Sequence, residues 1–312
     1  MTTTFEEISS NVLDESFWNI ENVEWKYDYD GNVFHLDNAN GTVACCWIPN
    51  EVKPWGILIY MHGLNSNLGL NANSLRDFAQ CGLITVGSDH LGHGQSPGRR
   101  SVTTIENIHL EISSLLDWVE TSFEPLPIFL YGHSLGGLSV ISYILSRPRD
   151  KRISAVITTG PWLTTRALPN ASKKDHKSLK FLSKHFPNFD IPLPGDSSKY
   201  DPGFIKMRSE HPVFQGINPS TLVSAFSTMK TVLSNPHLWP EDLPFLLGQG
   251  LGDRLVSIPI NRNFANEVKK NIGDNMKYIE YPNGLHDLFK TAERGPWMVE
   301  CLNFMRTYSI PQ

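Results

Sequence analysis

Three residues far apart in the chain have the types needed for acyl-transfer chemistry: Ser134, Asp253 and His286, separated by 119 and 33 positions. Ser134 lies in Gly132-His-Ser-Leu-Gly136, after the apolar run Ile128-Phe-Leu-Tyr131 and before the helix-length apolar segment Leu138–Leu145. Strand, sharp turn and helix are the setting in which G-x-S-x-G forms a nucleophile elbow. Such a turn is strained, and Gly132 and Gly136 leave its flanks without side chains. The helix N-terminus then aims a partial positive charge at the serine. Serine is a poor nucleophile until a base removes its proton, and an acid must hold that base. His286, in the turn Asn283-Gly-Leu-His286, follows the last strand candidate. Asp253 closes Gly248-Gln-Gly-Leu-Gly-Asp253, after the strand candidate Pro244–Leu247. The plainer readings are a helix-capping aspartate and a surface histidine. Asp287 is a weaker acid candidate, because adjacent side chains diverge.

An acyl-transfer site also needs N–H donors for the oxyanion. The N–H of Leu135 comes with the elbow, and the loop Met61-His-Gly-Leu64 offers the N–H of Leu64. His62 reads as a residue that fixes this loop rather than as a base.

These residues must be positioned by alternating elements. Val23–Tyr29, Val33–Leu36 and Val43–Ile48 read as antiparallel strands, with Asp30-Gly31 and Asn40-Gly41 as hairpin turns. Gly56–Met61, Leu83–Gly87, Ile128–Tyr131, Ile153–Ile157, Pro244–Leu247 and Met276–Tyr281 read as further strands, the first an unbroken apolar run covered on both faces. Between them the pattern predicts helices at 74–80, 104–119, 258–270 and 296–308. That alternation implies an α/β fold with a mostly parallel central sheet, antiparallel N-terminal strands and helices on both faces. Residues 161–242 break the alternation, with ten prolines and short helical pieces. We read them as an inserted cap. Residues 1–160, opening with a lead-in over 1–20, and residues 243–312 are then the two parts of the core. Most of the cap's large apolar residues (Trp162, Phe181, Phe186, Phe189, Phe204, Met207, Phe214, Phe226, Met229, Trp239) should pack it to the body.

Composition narrows the function. Charged residues make up 19% and the net charge is −5, so no basic excess points to nucleic acid. No apolar run reaches the length of a membrane span, and the start lacks the basic and apolar regions of a signal peptide. Cys45, Cys46, Cys81 and Cys301 resemble neither a disulfide framework nor a zinc site. The expectation is a cytoplasmic protein that needs no metal or organic cofactor.

With these residues in view the chain resembles the monoacylglycerol lipase and lysophospholipase branch of the α/β-hydrolase fold, within the serine aminopeptidase-type hydrolases. Four motifs carry the likeness: His62-Gly63; Asp89-His-Leu-Gly-His-Gly-Gln-Ser96; Gly132-His-Ser-Leu-Gly-Gly137; and Pro244 through Asp253-Arg-Leu-Val256. It runs from about Trp55 to the C-terminus, except in the cap. The resemblance implies Ser134 as nucleophile, His286 as base, Asp253 as orienting acid and the Leu64 and Leu135 N–H groups as oxyanion donors. It also implies a carboxylic-ester substrate, a monoacylglycerol or a lysophospholipid. In the second motif Asp89 and Ser96 are expected to bond backbone near the oxyanion loop. The family's lipases commonly carry H-G-x-x-E-H, whereas Leu64-Asn-Ser-Asn67 stands here. The cap does not align residue by residue.

Three alternatives stay open. An aminopeptidase on the same scaffold would need acids in the cap to hold a free amine, and 161–242 has seven acids against ten Lys/Arg. A non-catalytic hydrolase-fold protein usually lacks a triad member. Finally, Lys173, Lys177, Lys180 and Lys184 share one helical face, with Leu179, Leu182 and Phe186 opposite. That pattern fits either transient docking to an anionic membrane surface or a solvated helix packed on the body.

Overall fold

The computed structural model of the protein describes residues 14–164, 173–192, 200–211 and 216–309, and of residues 173–176 the backbone alone. The first part of the lead-in (1–13), Phe214 and the Lys173 side chain therefore lie outside the described residues.

The chain begins with short 3-10 turns at Glu15–Trp18 and Ile20–Asn22. Strands β1 (Asn32–Leu36) and β2 (Thr42–Trp47) follow, joined by a turn in which Asn40 and Gly41 take left-handed φ values of 61° and 69°. Next come β3 (Gly56–Met61), α1 (Leu68–Gln80), β4 (Leu83–Ser88), α2 (Ile105–Ser122), β5 (Ile128–His133), α3 (Leu135–Leu145) and β6 (Ile153–Thr159). After β6 the chain leaves the main sheet for α4 (Lys173–His185), β7 (Ile191–Pro192), α5 (Pro202–Ser209), β8 (Gly216–Ile217) and α6 (Pro219–Ser234). It returns with β9 (Phe245–Gly250), α7 (Ile258–Ile272), β10 (Met276–Tyr281) and α8 (Arg294–Thr307).

The main sheet has the order β1-β2-β4-β3-β5-β6-β9-β10. β2 runs antiparallel to both β1 and β4, and every other neighbouring pair is parallel. Because successive side chains on a strand point to opposite faces, each central strand feeds two cores. Ile57, Ile59 and Met61 of β3 join α2, α3 and α7, whereas Leu58 and Tyr60 join α1 and α8. Adjacent Cys46 and Cys45 part in the same way, one to each core. All four thiols are free and buried, and burial pushes those of Cys45, Cys46 and Cys81 up to about 12, which keeps them unreactive.

Two expectations need correction. Residues 23–29 form no strand. Their alternation is real, but its partners are not a sheet: Trp25 meets Phe204 edge-on, Tyr27 stacks on His211, and the Tyr29 hydroxyl donates to Asp89. Asp30-Gly31 consequently closes no hairpin. The helix expected at 74–80 begins six residues earlier, because the Asn67 side chain accepts the Leu70 N–H and so caps a start with little apolar period.

Candidate active site

Every expected site residue lies at or just beyond the carboxyl end of a strand in the parallel part of the sheet, the edge where open α/β sheets hold ligands. Ser134 joins β5 to α3 with φ 53° and ψ −112°, a sparsely populated region for a residue with a side chain. The neighbourhood requires glycine on both sides. A Cβ on Gly132 would press on the Gly136 carbonyl, and one on Gly136 would strike the Met61 carbonyl. The Ser134 N–H donates to the Thr159 carbonyl at 3.1 Å, and its carbonyl accepts the Trp162 N–H at 2.9 Å. The turn is thus pinned to the end of β6.

Asp253 and His286 are brought together. Nδ1–H of His286 donates to Asp253 Oδ2 at 2.8 Å, which leaves Nε2 as the acceptor nitrogen. Asp253 is fully buried, and its carboxylate is filled: Oδ1 accepts the N–H groups of Leu255 and Val256, and Oδ2 also accepts from the Gln249 amide. Burial works against both charges. Asp253, helped by the nearby Asp287, outweighs it for His286 and holds that ring above the ordinary imidazole value. His286 in turn holds Asp253 below the usual carboxylate range. The pair reaches the elbow through two contacts. Ring centroids of His286 and His133 are 4.8 Å apart. At Gly160, φ 47°, an added Cβ would touch His286 Nδ1 at 3.1 Å and Asp253 Oδ2 at 3.3 Å.

The Leu64 loop lies against the same turn, since a Cβ on Gly63 would stand 3.1 Å from that of Ser134. Leu135 opens α3, where N–H groups have no partner within the helix. His62 fixes the loop, as expected. Its Nδ1 donates to the Gly63 carbonyl at 2.7 Å and its Nε2 accepts the His90 N–H at 3.0 Å. Asp89 accepts from Leu68 N–H, Gln95 N–H and Tyr29 hydroxyl, each at 2.7 Å. Ser96 Oγ donates to the Asp89 carbonyl and accepts the Val43 N–H. Both residues therefore tie backbone together behind the Leu64 loop. Among the described residues no group of three or more His, Cys, Asp or Glu is arranged to hold a metal.

Some supporting residues escaped sequence reasoning. Gln249 links Asp253 to Asn261, whose amide also donates to the Pro161 carbonyl. Glu111 bonds His90 Nδ1 at 2.6 Å and the Ser88 hydroxyl at 3.0 Å, while His90 Nε2 reaches the His62 carbonyl. Both left a signal: Glu111 sits inside the apolar stripe of α2, and Gln249 in an otherwise apolar and glycine strand.

Above the site, Trp162 and Phe226 are half-buried and pack with Leu64, Ile217 and Leu222. On α4 Leu179 faces inward and Phe181 is exposed, and just beyond the helix Phe186, expected on the packed face, is exposed together with Phe189.

Comparison with known proteins agrees with this architecture. Residues 52–293 match the serine aminopeptidase family S33. The monoglyceride lipase of Mus musculus is 28% identical over 238 residues, 71% of this chain and 73% of that one. The monoacylglycerol lipase of Mycolicibacterium smegmatis is 24% identical over 251 residues, 80% and 86% of the two chains. The crystal structure of Paleococcus ferrophilus monoacylglycerol lipase superposes with a TM-score of 0.73 at 24% identity, covering 86% of this chain and 99% of that one.

Proposed function

Because this chain belongs to the serine aminopeptidase family S33, we propose that it hydrolyses carboxylic esters of lipids, monoacylglycerols or lysophospholipids, through an acyl-enzyme on Ser134. The observation that carries the reading is the 2.8 Å bond from His286 to a saturated, buried Asp253, beside a serine held at φ 53°. In this mechanism Asp253 fixes the His286 tautomer and stabilises its charged form. Nε2 takes the Ser134 proton as Oγ attacks the ester carbonyl. The Leu64 and Leu135 N–H groups hold the oxyanion. His286 returns the proton to the departing alcohol, then activates the water that releases the acid.

The insertion between β6 and β9 serves as the cap over this site. The half-buried Trp162 and Phe226, packed on Leu64, supply an apolar wall beside the oxyanion donor, which suits an acyl chain. An amine-recognising aminopeptidase is less well supported. Of the described acids in the insertion, Asp190 is engaged by Arg99 and Asn218, Asp201 by Trp25 and the start of α5, and Asp242 by Arg149 and Lys151, while Glu210 and Glu241 are exposed. The exposed Phe181, Phe186 and Phe189 beside Lys177, Lys180 and Lys184 support transient contact of the cap with an anionic membrane surface. No helix among the described residues is long and apolar enough to cross a membrane.

A fluorophosphonate probe tests the chemistry: wild type should label and Ser134→Ala should not. A folded wild type that stays unlabelled would leave only a non-catalytic, ligand-binding role. A panel of monoacylglycerols, lysophospholipids, short p-nitrophenyl esters and aminoacyl amides then ranks substrates. For the surface, binding to anionic vesicles should drop in Lys177→Glu/Lys180→Glu, and unchanged binding would remove the membrane contact.

A further inference from the structure

Lys290 is 2% exposed, an unusual fate for an ammonium, and it lies four residues after His286 in the short 3-10 turn Leu288–Lys290. Its Nζ donates to Asn71 Oδ1 at 3.2 Å and stands 3.9 Å from Asp287 Oδ2. Two aromatic faces cover the rest of the charge, Trp25 at 5.4 Å and Phe204 at 5.1 Å from the nitrogen. These partners come from four parts of the chain: α1, the His286 loop, the N-terminal segment and α5 of the insertion. The same joint is laced by backbone. The Asp201 N–H donates to the Lys290 carbonyl at 3.0 Å, and the Asp287 N–H to the Tyr200 hydroxyl at 3.3 Å.

Resting on the Ser134–His286 reading above, we propose that Lys290 is a positioning residue for the base: its charge offsets that of Asp287, so that the second carboxylate beside His286 acts on the ring with reduced strength. The ionisable groups around His286 are Asp253 from the loop after β9, Asp287 from its own loop, His133 from the end of β5, Lys290, and Tyr200 from the insertion. Among the described residues only Asp253 bonds the imidazole, so Asp287 acts through space, and Lys290 is the one cation in that group. Burial opposes the Asp287 charge, and Lys290, with His133 and His286, outweighs it and keeps the carboxylate ionised. Burial also lowers the Lys290 ammonium, and Asp287 partly restores it. Without Lys290 the Asp287 carboxylate, still favoured by His133, His286 and the Phe289 N–H, would stabilise the imidazolium unopposed, and a base must be neutral to accept the serine proton. Loss of Lys290 therefore raises the pH needed for activity.

The test is the acid limb of kcat/KM against pH, which reports the free enzyme's base. Lys290→Met should move that limb up by about one pH unit, as expected for an uncompensated carboxylate on the neighbouring residue. Asp287→Asn, which keeps the side-chain oxygen that accepts the Phe289 N–H, should move it down. The double variant should return it close to wild type, and Lys290→Arg should leave it there. A purely structural role would lower kcat or melting temperature in both single variants without opposite shifts. That result, or an unmoved limb, overturns the proposal. Should Lys290→Met fail to fold, Asp287→Asn alone decides. Fluorophosphonate labelling of each variant keeps the two questions apart, since an unlabelled wild type defeats the serine-hydrolase reading itself.

Discussion

The loops at the carboxyl edge of the sheet and the insertion between β6 and β9 draw on the same residue types, yet they are held in opposite ways. At the edge, Asp89, Asp253 and Gln249 are wholly buried, and each carboxylate accepts two backbone N–H groups as well as side-chain donors. In the insertion, Asp190 pairs with a partly exposed Arg99, and three phenylalanines of the α4 region face solvent. A buried carboxylate that loses a partner exposes the rest of its network to an unmet desolvation cost. A half-exposed ion pair that breaks is replaced by water. The edge is therefore built to permit one geometry, and the insertion to tolerate many sequences.

The largest effect should come from the edge. Asp253→Asn keeps the acceptor for Leu255 and Val256 but loses the carboxylate that sets the His286 tautomer. We expect kcat/KM for a p-nitrophenyl ester to fall by about 10³ to 10⁴, with little change in melting temperature. Retention of activity within tenfold would point to Asp287 as the acid and make the saturation of Asp253 merely structural.

Asp89→Ala removes no proposed catalytic group, yet it strands the Leu68 and Gln95 N–H groups and the Tyr29 hydroxyl in a buried site. Burial also pushes the Asp89 carboxyl above its usual value, so its removal relieves part of that loss. A net destabilisation of about 2–4 kcal/mol in urea melts is expected. A loss below about 1 kcal/mol would mean that water replaces the carboxylate and that the edge is no more demanding than the insertion.

The sequence exposed these two regions unevenly, for physical reasons. β3, β4, β5 and β9 were legible because strands covered on both faces must be largely apolar, β10 because apolar residues recur along an edge strand, and the loops after them carry glycines in tight turns. Ser134, Asp253 and His286 could be selected because each follows such a strand. Gln249 and Asn261 were not, since a single buried amide looks like any surface amide until its partners from distant loops are known. Val23–Tyr29 misled because alternation reports two faces, not a sheet; here Trp25, Tyr27 and Tyr29 on one face pack against α5 and the start of α1, while Glu24 and Lys26 on the other are exposed. The exposure of Phe186 was hidden for a similar reason. Helical periodicity places it opposite the lysines, but it lies just beyond the end of α4.

Acid sharpens the contrast further. Burial holds His93 down to about 3 and His133 to about 4, with His62 also well below its ordinary value near 6.5. All three lie behind or beside the site. Between pH 6.5 and about 4 the unfolded chain binds protons at these rings while the folded chain does not. Stability must therefore fall as pH falls through that window, by at most roughly 1.4 kcal/mol per ring and pH unit. The raised His286 opposes this, because its contribution is present at low pH and lost as pH rises through its folded value. His109, also held down to about 4 by burial, adds a fourth such ring, and four rings against one predict a lower melting temperature at pH 5 than at pH 7. His93→Asn should flatten that slope. A wild-type melting temperature that stays level from pH 7 to 5 would contradict neutral, buried rings at the edge.

The smallest expected effect belongs to the clasp between edge and insertion. Arg99 donates to the carbonyls of Pro187 and Asn188 at 2.9 and 2.8 Å and to Asp190 at 2.5 Å. Asn218 independently holds the same corner through Pro187, Phe189 and Asp190. With a second anchor in place and solvent able to replace the ion pair, Arg99→Ala should cost less than about 1 kcal/mol. Its consequence should appear in binding rather than chemistry, because the freed corner carries Phe186 and Phe189 and touches none of Ser134, Asp253 or His286. KM for a long-chain monoacylglycerol should rise by about two- to fivefold, the equivalent of less than 1 kcal/mol, while kcat for a short p-nitrophenyl ester stays unchanged. If instead kcat for the short ester fell with Arg99→Ala, the insertion would be part of the frame that sets the catalytic geometry, and the division between a demanding edge and a tolerant cap would fail.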